Sequence, residues 1–562
     1  MDILGISAFY HDAAAALVRD GIPIAAAQEE RFSQLKNDPA FPVRAIRFCL
    51  REGQITAREL DWVVFYEKPL RKFERILITH LKYYPRSARA FTRAMFLWLG
   101  DRLWMKNRIA SELGISPNKI LFTEHHQSHA ASAFFASPFS EAAILTVDGV
   151  GEWATTTFGR GNGNDLDIIS EIHFPHSLGL LYSAITAFLG FKVNEGEQKV
   201  MGLSAYGKPT YLDQLLSLVE LDDDGSYEID ISAFRYPYDP DKSFGNKLKA
   251  LLGDSRTPKQ PILFTGENRR HADIAASLQA VLERGLLSLV NELYKQVPSS
   301  NLCLAGGVAL NVIANSKILE QGPFQHIFIQ PAAGDAGGAL GAALYVNHVF
   351  LNSKRLFVQD HAFFGEAINL EQNTSSNEIS NEDKLIDEVV SNLINGKTVG
   401  WVQGRFEWGP RSLGHRSLLA DPRNPKMKNH INQQIKHREN FRPFAPSITK
   451  EFADQYFDMP AGSDFPTKFM LLSVPVLDKC ADKIPAALHI DNTGRIQVVD
   501  HKIDPLFHKL ITRFGEETGV PVLLNTSLNL QGEPIVRGEK EAVSVLKRSG
   551  MDMLVVENRI YT

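Results

Sequence analysis

The chain has few cysteines and no long apolar run, and its first residues do not have the pattern of a secretory leader. Cys49, Cys303 and Cys480 are an odd number without CxxC spacing, which argues against a disulfide scaffold and against a zinc finger and fits a reducing compartment. No stretch approaches the uninterrupted apolar length that a membrane span needs. The first residues also lack a basic region followed by an apolar one. These absences predict a cytoplasmic protein.

A strong imbalance of charge is also missing, because 60 Lys and Arg stand against 65 Asp and Glu, for a formal net charge of -5. Such a balance gives no overall field that would attract nucleic acid or an anionic membrane, and we expect neither as a partner. Any anion site must be local. The length of 562 residues predicts two or three domains, each with its own core.

A pattern of three short apolar runs separated by turns occurs twice in the N-terminal half. The first copy reads DILGISAF, AAAALVRD and IPIAAAQEERF, and the second reads AAILTVD, WATTTFGRG and LDIISEIHF. Each run has the composition of a strand. The duplication predicts two related α/β lobes that face a shared cleft, with chance similarity of two hairpins as the alternative.

Apolar residues with helical periodicity fill the intervals, in VRAIRFCLREG, FERILITHLKYY, SLGLLYSAITAFLGF and ADIAASLQAVLERGLLSLVNELYKQV. Two further strands, in NLCLAGGVALNV and HIFIQPAAGDAGG, enter helices through Gly-rich turns. Such turns offer free backbone N–H groups at a helix N-terminus, where phosphate binds favourably. The whole pattern predicts a mixed α/β fold.

The composition turns polar between residues 356 and 395, which contain NTSSNEISNEDK. No apolar period is sustained there, so we predict a connection between two domains. The N-terminal domain would comprise residues 1–355 and the C-terminal domain residues 396–562. The C-terminal domain has strand-like runs of its own in TVGWVQG, RIQVVD and VPVLLN.

His125 and His129 are four residues apart in a segment of helical character, so both imidazoles project from one face, whereas His126 points elsewhere. Asp148, after the run AAILTV, and Asp335, at the head of a Gly-rich helix, are carboxylates that the duplicated architecture would bring to the same cleft. Two imidazoles and two carboxylates suit iron(II), manganese or zinc. A histidine pair of this spacing also occurs as a hydrogen-bonded structural feature, and the spacing alone leaves both interpretations open.

His11 follows the first strand, in the turn that matches the one carrying Asp148 in the second copy, and we expect the two residues to be equivalent. A neutral imidazole there could accept the proton of a substrate hydroxyl, because its ordinary pKa lies close to cellular pH. The alternative is a turn histidine that satisfies backbone groups.

Nine motifs occur in order along the chain, namely YHDAAAALV, EHHQSHAASAF, TVDGVGEW, EGEQKVMGLSAYGKP, CLAGGVALN, QPAAGDAGGALGAA, GPRSLGHRSLLADPR, KHRENFRPFAPSI and NTSLNLQGEPI. With these motifs the sequence resembles the O-carbamoyltransferases that modify antibiotics, Nod factors and saxitoxin-type toxins, over nearly the whole chain except the polar connection. FPHSLGLLYSA and VDGVGEWATT are most similar to the saxitoxin-type branch.

This resemblance implies a first domain like the Kae1 proteins of the actin-like ATPase superfamily and an α/β second domain like YrdC. The second domain would convert carbamoyl phosphate and ATP, bound with magnesium, into a carbamoyl-adenylate. The first domain would transfer the carbamoyl group to a hydroxyl of a small-molecule acceptor. It would contain a divalent metal, for which iron(II) is the preferred assignment and manganese and zinc are the alternatives. The resemblance fixes neither that acceptor nor the oligomeric state, and it leaves a homodimer open.

The resemblance also implies a role for particular residues. The metal ligands of the family fall on His125, His129, Asp148 and Asp335, and its proposed base falls on His11. The turns that cradle the nucleotide fall on Gly306, Gly307 and Asn311, with Gly149 and Gly334 beside the adenylate phosphate. The site for carbamoyl phosphate and ATP falls on Arg411, Lys436, Arg442, Arg495, Asn525 and Ser527, of which Lys436 and Arg442 would be catalytic.

The residues of the second domain are consistent with an anion site. Between Trp401 and Ala445, nine Arg or Lys stand against three Asp or Glu. Guanidinium groups bind phosphate in a bidentate manner. A solvated basic face is the alternative, but the interleaved Gly, Pro and aromatic residues of WGPRSLG and NFRPFAP favour a shaped loop. His415 stands where relatives often carry Asn, which leaves its role open.

Two other functions fit parts of the sequence. A tRNA-modifying threonylcarbamoyl-transferase would share both domain types, but the acidic net charge and the lack of a basic stripe with interleaved aromatic residues count against it. A non-catalytic actin-like module that binds a nucleotide would not need His11, the metal ligands and the basic pocket together.

Overall fold

A computed structural model describes residues 1–222, 224–258, 260–262, 264, 269–370 and 376–562. Residues 371–375 of the predicted connection therefore lie outside the described residues. Within the described ranges, no helix combines the length and the apolar character that crossing a membrane would require. The predicted mixed α/β class is confirmed.

The first lobe is built on a five-stranded sheet of order β3-β2-β1-β4-β5. Strands β1 to β3 pair antiparallel, and β4 and β5 add parallel to β1. The strands are β1 (Asp2–Ser7), β2 (Ala14–Arg19), β3 (Ile22–Gln28), β4 (Trp62–Phe65) and β5 (Ile120–Phe122). The helices are α1 (Glu30–Ser33), α2 (Val43–Glu52), α3 (Pro69–Lys82), α4 (Ala88–Gly100), α5 (Met105–Leu113) and α6 (His125–Phe134).

The second lobe is built on a five-stranded sheet of order β8-β7-β6-β11-β12, and a small ribbon of β9 and β10 lies apart from it. The strands are β6 (Glu141–Val147), β7 (Ala154–Asn162), β8 (Asp165–His173), β9 (Val219–Leu221), β10 (Tyr227–Ile229), β11 (Asn301–Ala305) and β12 (His326–Ile329). The helices are α7 (Leu178–Phe188), α8 (Glu197–Ser204), α9 (Leu212–Leu216), α10 (Asn246–Leu252), α11 (Arg270–Gln296), α12 (Val312–Gln321) and α13 (Asp335–Tyr345).

The two five-stranded sheets have the same order, so the predicted duplication is present in the structure. The equivalence of His11 and Asp148, in contrast, is not found. Ser7 pairs with Ala14 and ends β1, while Asp148 directly follows the last residue of β6. The position that corresponds to Asp148 is therefore Ala8, and His11 lies three residues further into the same turn. The turns are of different length, which a comparison of strand patterns does not reveal.

Helix α13 returns from the second lobe to pack on β1 and α6 of the first. The backbones come very close, because a Cβ at Gly341 would lie 1.8 Å from the carbonyl oxygen of Ser128 in α6. Only glycine permits this approach. The packing sets the start of α13, and with it Asp335, beside α6.

The C-terminal part of the chain contains an eight-stranded sheet of order β13-β22-β21-β14-β15-β20-β16-β19. Its strands are β13 (Asn377–Glu378), β14 (Val399–Val402), β15 (Arg416–Ala420), β16 (Ala445–Thr449), β19 (Gln497–Val499), β20 (Val522–Ser527), β21 (Met553–Val556) and β22 (Arg559–Tyr561). A separate antiparallel pair consists of β17 (Val474–Pro475) and β18 (Thr493–Gly494). The helices are α14 (Glu382–Ile394), α15 (Met427–His430), α16 (Ala453–Tyr456), α17 (Asp464–Lys468), α18 (Asp478–Ala481), α19 (Pro505–Thr518) and α20 (Glu539–Arg548).

Helix α14 corrects the description of residues 356–395 as a polar connection. Its buried residues Leu385, Val389 and Leu393 are in one core with residues of α19 and β14. Their spacing of four residues is that of an amphipathic helix. The polar residues just before the helix masked this period, and the end of the segment packs with the C-terminal sheet.

Buried polar contacts join the C-terminal part to both lobes. The Arg31 guanidinium donates to the carbonyl oxygen of Gly409 over 2.9 Å. On the second lobe, the Ser316 hydroxyl in α12 donates to the carbonyl oxygen of Ser473 over 2.8 Å. Specific hydrogen bonds therefore fix the position of the C-terminal part against each of the two lobes.

Candidate functional site

Helix α6 carries the predicted metal ligands His125 and His129 in its first two turns. Glu124 and Gln127 form a reciprocal capping box, which fixes the start of the helix at His125. His125 and His129 then lie one turn apart, and their Nε2 atoms are 3.1 Å from each other. His126 is turned away, as predicted, with Nδ1 2.6 Å from the Thr146 hydroxyl and Nε2 3.0 Å from the carbonyl oxygen of Ala154.

The structure brings all four predicted metal ligands together, and each is buried. Asp148 Oδ2 lies 3.0 Å from His125 Nε2 and 3.6 Å from His129 Nε2. Asp335 Oδ1 lies 3.7 Å from each of the same two nitrogens. The four donor atoms all lie within 4.8 Å of one another.

This cluster has the dimensions of a cation site. Metal–ligand distances of roughly 2.0–2.2 Å place neighbouring donors roughly 3.0–3.6 Å apart, close to the observed separations. Asp335 Oδ1 is buried and has no hydrogen-bond partner among the described residues, although it faces the two imidazoles. A divalent cation would satisfy that oxygen and neutralise two buried carboxylates. The residues therefore fit a metal ion, and its identity does not follow from them.

The charges of the cluster depend strongly on one another. Burial by itself would lower the pKa of His129, but Asp148 and Asp335 outweigh it and raise that pKa to about 9. Burial would raise the pKa of Asp148, but hydrogen bonds with His125 and His129 hold it well below its ordinary value. The carboxylates are thus anionic, as ligands of a cation must be.

His11 lies at the edge of this cluster. Its Nε2 is 3.9 Å from Asp335 Oδ2, and its Nδ1 is 3.0 Å from Asp12 Oδ2. Burial would lower the pKa of His11, but the carboxylates of Asp335 and Asp12 raise it to about 10. A cation bound to Asp335 would offset part of this carboxylate charge and favour the neutral ring.

The Gly-rich turn from Gly306 to Asn311 contacts the cluster directly. The backbone N–H of Gly307 donates to Asp148 Oδ1 over 2.9 Å. Asn311 caps α12 through a bond from the Ala314 N–H, and it exchanges amide hydrogen bonds with Gln279. Its side chain is therefore engaged within the protein, which differs from a direct contact with a nucleotide.

Gly149 and Gly334 border open space beside the two carboxylates. A Cβ at Gly334 would meet nothing within 4 Å, and one at Gly149 would approach only Leu180 and Tyr10, at 3.7 Å and beyond. Gly149 directly follows Asp148 and Gly334 directly precedes Asp335. The adenylate phosphate is predicted to lie beside these two glycines.

Two glycines of these turns should respond differently to the same substitution. Gly306 has φ +93°, and a Cβ there would lie 2.2 Å from the carbonyl oxygen of Val147, so G306A should lower the free energy of unfolding by about 1–3 kcal/mol or more. The matched variant G334A should leave stability unchanged and weaken nucleotide binding. Denaturant unfolding and ATP titration of both variants measure this, and equal stability losses would contradict it.

A second site lies between the second lobe and the C-terminal sheet. It is a cavity of about 100 Å³. Its walls come from α8 and the start of α12 on one side and from C-terminal loops on the other. The predicted residues Arg411, Arg442, Arg495 and Ser527 line it.

The lining also includes residues that the sequence analysis did not single out, namely Lys428, Arg438 and His489. Arg438 belongs to the motif KHRENFRPFAPSI, so the local basic excess was the available signal. His489 had none, because it reaches the cavity from a separate loop. Its burial lowers its pKa to about 4, which keeps the ring neutral.

The guanidinium groups of Arg411 and Arg495 form no ion pair within the described residues, whereas Arg442 lies 3.9 Å from Glu439. Burial, together with Arg442, lowers the pKa of Arg411 to about 10. Burial, and to a lesser extent three neighbouring guanidinium groups, lowers the pKa of Arg495 well below its ordinary value. Buried Nε atoms of Arg411 and Arg495 have no hydrogen-bond partner among the described residues. Such an arrangement favours an anion with several oxygen acceptors.

Lys436 and Asn525 are not among the residues that line the cavity, and their contact with substrate stays a prediction. The Lys436 ammonium donates to the carbonyl oxygens of Ser527 and Asn529 and to the Asn529 side chain. Asn525 donates to Ser447 and Gln497 inside the sheet. Lys436 thus holds the turn that carries Ser527. The direction in which a lysine side chain points cannot be inferred from the sequence.

The open question about His415 has a structural answer. Its ring stacks on Phe363 with centroids 3.6 Å apart, and Nδ1 lies 2.6 Å from the carbonyl oxygen of Arg405. It is not among the residues that line the cavity. His415 therefore fastens the loop after β14 to the segment before the C-terminal sheet.

Comparisons with known proteins cover nearly the whole chain. The family model described as Carbamoyltransferase N-terminus matches residues 2–344, and that described as Carbamoyltransferase C-terminus matches residues 390–562. The uncharacterised protein sll1178 of Synechocystis sp. is 45% identical, over 99% of this chain and 96% of that protein. The nodulation protein NolNO of Sinorhizobium fredii is 35% identical, over 98% and 78%.

A 3'-hydroxymethylcephem-O-carbamoyltransferase of Amycolatopsis lactamdurans is 30% identical, over 59% of this chain and 63% of that protein. Among solved structures, component A of the (R)-2-hydroxyglutaryl-CoA dehydratase of Acidaminococcus fermentans is 14% identical with a TM-score of 0.33, over 62% and 98%. A TM-score of this size does not establish a common fold.

Proposed function

Because the chain belongs to the carbamoyltransferase family, we propose that it is an ATP-dependent O-carbamoyltransferase with two reaction sites. The cationic cavity would form a carbamoyl-adenylate from carbamoyl phosphate and ATP. The histidine and carboxylate cluster would then transfer the carbamoyl group to a hydroxyl of a small molecule.

The first step requires several anionic groups in one pocket. Water would cleave carbamoyl phosphate to carbamate and phosphate, and a carbamate oxygen would attack the α-phosphorus of ATP with release of pyrophosphate. Arg411, Arg438, Arg442 and Arg495 supply guanidinium donors from different loops of one cavity, which supports this assignment. Lys436 would act indirectly, by positioning Ser527.

The second step requires a base beside the acceptor and positive charge beside the leaving group. The acceptor hydroxyl would lose its proton to His11 Nε2 as its oxygen attacks the carbamoyl carbon, and AMP would depart. A divalent cation held by His125, His129, Asp148 and Asp335 would supply positive charge for the adenylate phosphate. The Gly149 and Gly334 turns leave room for that phosphate.

One observation carries the assignment of both sites to one reaction sequence. Arg411, from the cavity, donates to the carbonyl oxygen of Leu310 over 3.4 Å, and Gly307 of the same turn donates to Asp148. The two sites therefore share a wall only a few residues long. Carbamate and its adenylate are labile in water, and adjacent sites limit the loss of the intermediate.

The proposed function is tested by product analysis. Purified protein is incubated with ATP, magnesium and carbamoyl phosphate, with and without a panel of hydroxylated acceptors, and its metal content is measured on the same sample. We expect pyrophosphate release that needs carbamoyl phosphate, and a carbamoylated product with one acceptor class. Turnover that requires threonine and bicarbonate, or no pyrophosphate at all, would contradict the proposal.

The base assignment predicts a split between the two half-reactions. H11A should lower carbamoyl transfer about 10²- to 10⁴-fold while pyrophosphate release continues at the wild-type rate, because His11 contacts only the transfer cluster. The exposed His173 provides the matched variant H173A, which should change neither rate. Full transfer by H11A would show that His11 is not the base.

A further inference from the structure

Helices α3 and α4 form a hairpin whose composition differs from that of the rest of the chain. We call residues 68–108 the basic hairpin, because they contain eleven Lys or Arg and two Asp or Glu in a chain of net charge -5. The helices run antiparallel, with Phe73 against Trp98 at 6.0 Å and His80 against Phe91 at 5.9 Å between ring centroids. The base of the hairpin adjoins the transfer cluster, since Lys72 Nζ lies 5.5 Å from the centroid of the Tyr10 ring. None of the residues assigned to either reaction site belongs to the hairpin, and the proposed chemistry leaves its exposed side chains unexplained.

The outer face of the basic hairpin exposes an unusual number of large apolar side chains. Among the described residues, twenty large hydrophobic side chains are exposed, and eight of them belong to this hairpin. Phe96 is 80% exposed and Trp104 is 59% exposed. Single exposed apolar residues are ordinary, but a concentration of this kind marks an interaction surface. The eight are Leu70, Ile78, Leu81, Tyr84, Phe96, Leu97, Leu99 and Trp104.

The basic hairpin also carries exposed cations that have no carboxylate partner within the described residues. Lys82, Arg86, Arg89 and Lys106 are exposed and form no ion pair within the described part of the chain. Arg89 and Phe96 are seven residues apart in α4 and therefore share one face of the helix. Free cations and exposed aromatic or aliphatic groups are thus interleaved along the hairpin.

We propose that the basic hairpin docks the protein onto an anionic lipid surface. Phe96, Leu99 and Trp104 would enter the boundary between headgroups and acyl chains, while Arg86 and Arg89 contact headgroup phosphates. A face with Trp, Phe and Leu beside Lys and Arg is typical of helices that lie in a membrane interface. Anionic lipids attract such clusters of basic residues. The small net charge of the whole chain gave no reason to expect a membrane partner. The local positive charge of the hairpin would nevertheless attract anionic lipid.

The composition of the surface argues against other occupants. Two copies of the chain that met through this face would bring two strongly cationic segments together, which is unfavourable. Nucleic acid would match the charge, but it would leave the leucine side chains without an apolar environment. A lipid surface satisfies both groups at once.

Vesicle binding by the full-length protein tests the proposal. Cosedimentation is measured with vesicles of phosphatidylcholine alone and of phosphatidylcholine mixed with phosphatidylglycerol, at low and high salt. Wild-type protein should bind the mixed vesicles, bind the neutral ones much less, and dissociate at high salt. The double variant R86E with R89E should lose the preference for anionic vesicles, and F96S with L99S should weaken binding about tenfold or more.

Matched substitutions elsewhere separate this surface from general effects. Leu356 is 66% exposed outside the hairpin, so L356S should bind vesicles like the wild type. Lys540 and Lys547 are exposed on α20, and K540E with K547E changes the charge equally without loss of binding. All variants should keep the wild-type melting temperature. No vesicle binding by the wild type, equal binding by hairpin variants, or self-association that F96S with L99S abolishes would overturn the proposal.

Discussion

D335N should yield a protein without bound cation whose carbamoyl transfer is lowered at least about a hundredfold. Asp335 supplies a buried oxygen that has no other partner within the described residues, and asparagine keeps its shape but not its charge. Pyrophosphate release from ATP and carbamoyl phosphate should continue, because the cationic cavity is intact. Elemental analysis, product analysis and pyrophosphate release measure the three effects.

Two comparisons make this result specific to the metal. D273N makes the same chemical change in the first turn of α11, at a residue that is not part of the cluster. It should leave cation content and carbamoyl transfer unchanged. Wild-type protein treated with a chelator should match D335N in both transfer rate and melting temperature. A D335N protein that retains a full complement of cation would remove Asp335 from the ligand set. Loss of the cation with full transfer would remove the metal from the chemistry.

R495M should lower pyrophosphate release about ten- to 150-fold, because hydrogen bonds from a charged group to an anion contribute about 1.5–3 kcal/mol. Arg495 is buried among other guanidinium groups and has an Nε without a partner in the described structure. In the absence of ligands, the free energy of unfolding should stay the same or rise, since the substitution removes an uncompensated buried charge. Arg438 should behave in the same way, although the sequence analysis did not select it.

A rescue experiment distinguishes loss of adenylation from general damage. Supplying preformed carbamoyl-adenylate should restore transfer by R495M and should not restore transfer by D335N. The exposed Arg513, which pairs with Asp387, gives the control R513M with wild-type pyrophosphate release. Failure of the rescue in R495M would contradict the division of the reaction between the two sites.

The sequence predicted those features that repeat or have a fixed spacing. The two copies of three strands are visible because each strand has a short apolar period, and His125 and His129 share a face because a helix places residues four apart side by side. The duplicated architecture indicated Asp148 and Asp335 as partners of that pair, and the family resemblance implied the same residues.

Other features depend on tertiary packing and could not be predicted. The exact place of His11 depends on the length of a turn, and the orientation of Lys436 depends on where three oxygen acceptors lie. His489 enters the cavity from a loop whose own sequence has no distinctive pattern. Helix α14 was missed because a polar segment precedes it, although its apolar residues have a regular spacing.

The turn between Gly306 and Asn311 has a thermodynamic consequence. The Gly307 N–H in this turn donates to Asp148, and the Leu310 carbonyl oxygen accepts a hydrogen bond from Arg411, which lines the cationic cavity. Under the proposed function, occupancy of one site would therefore be linked to occupancy of the other through this turn. Linkage is reciprocal, so any factor by which the cation tightens binding in the anion cavity is the factor by which that anion tightens binding of the cation.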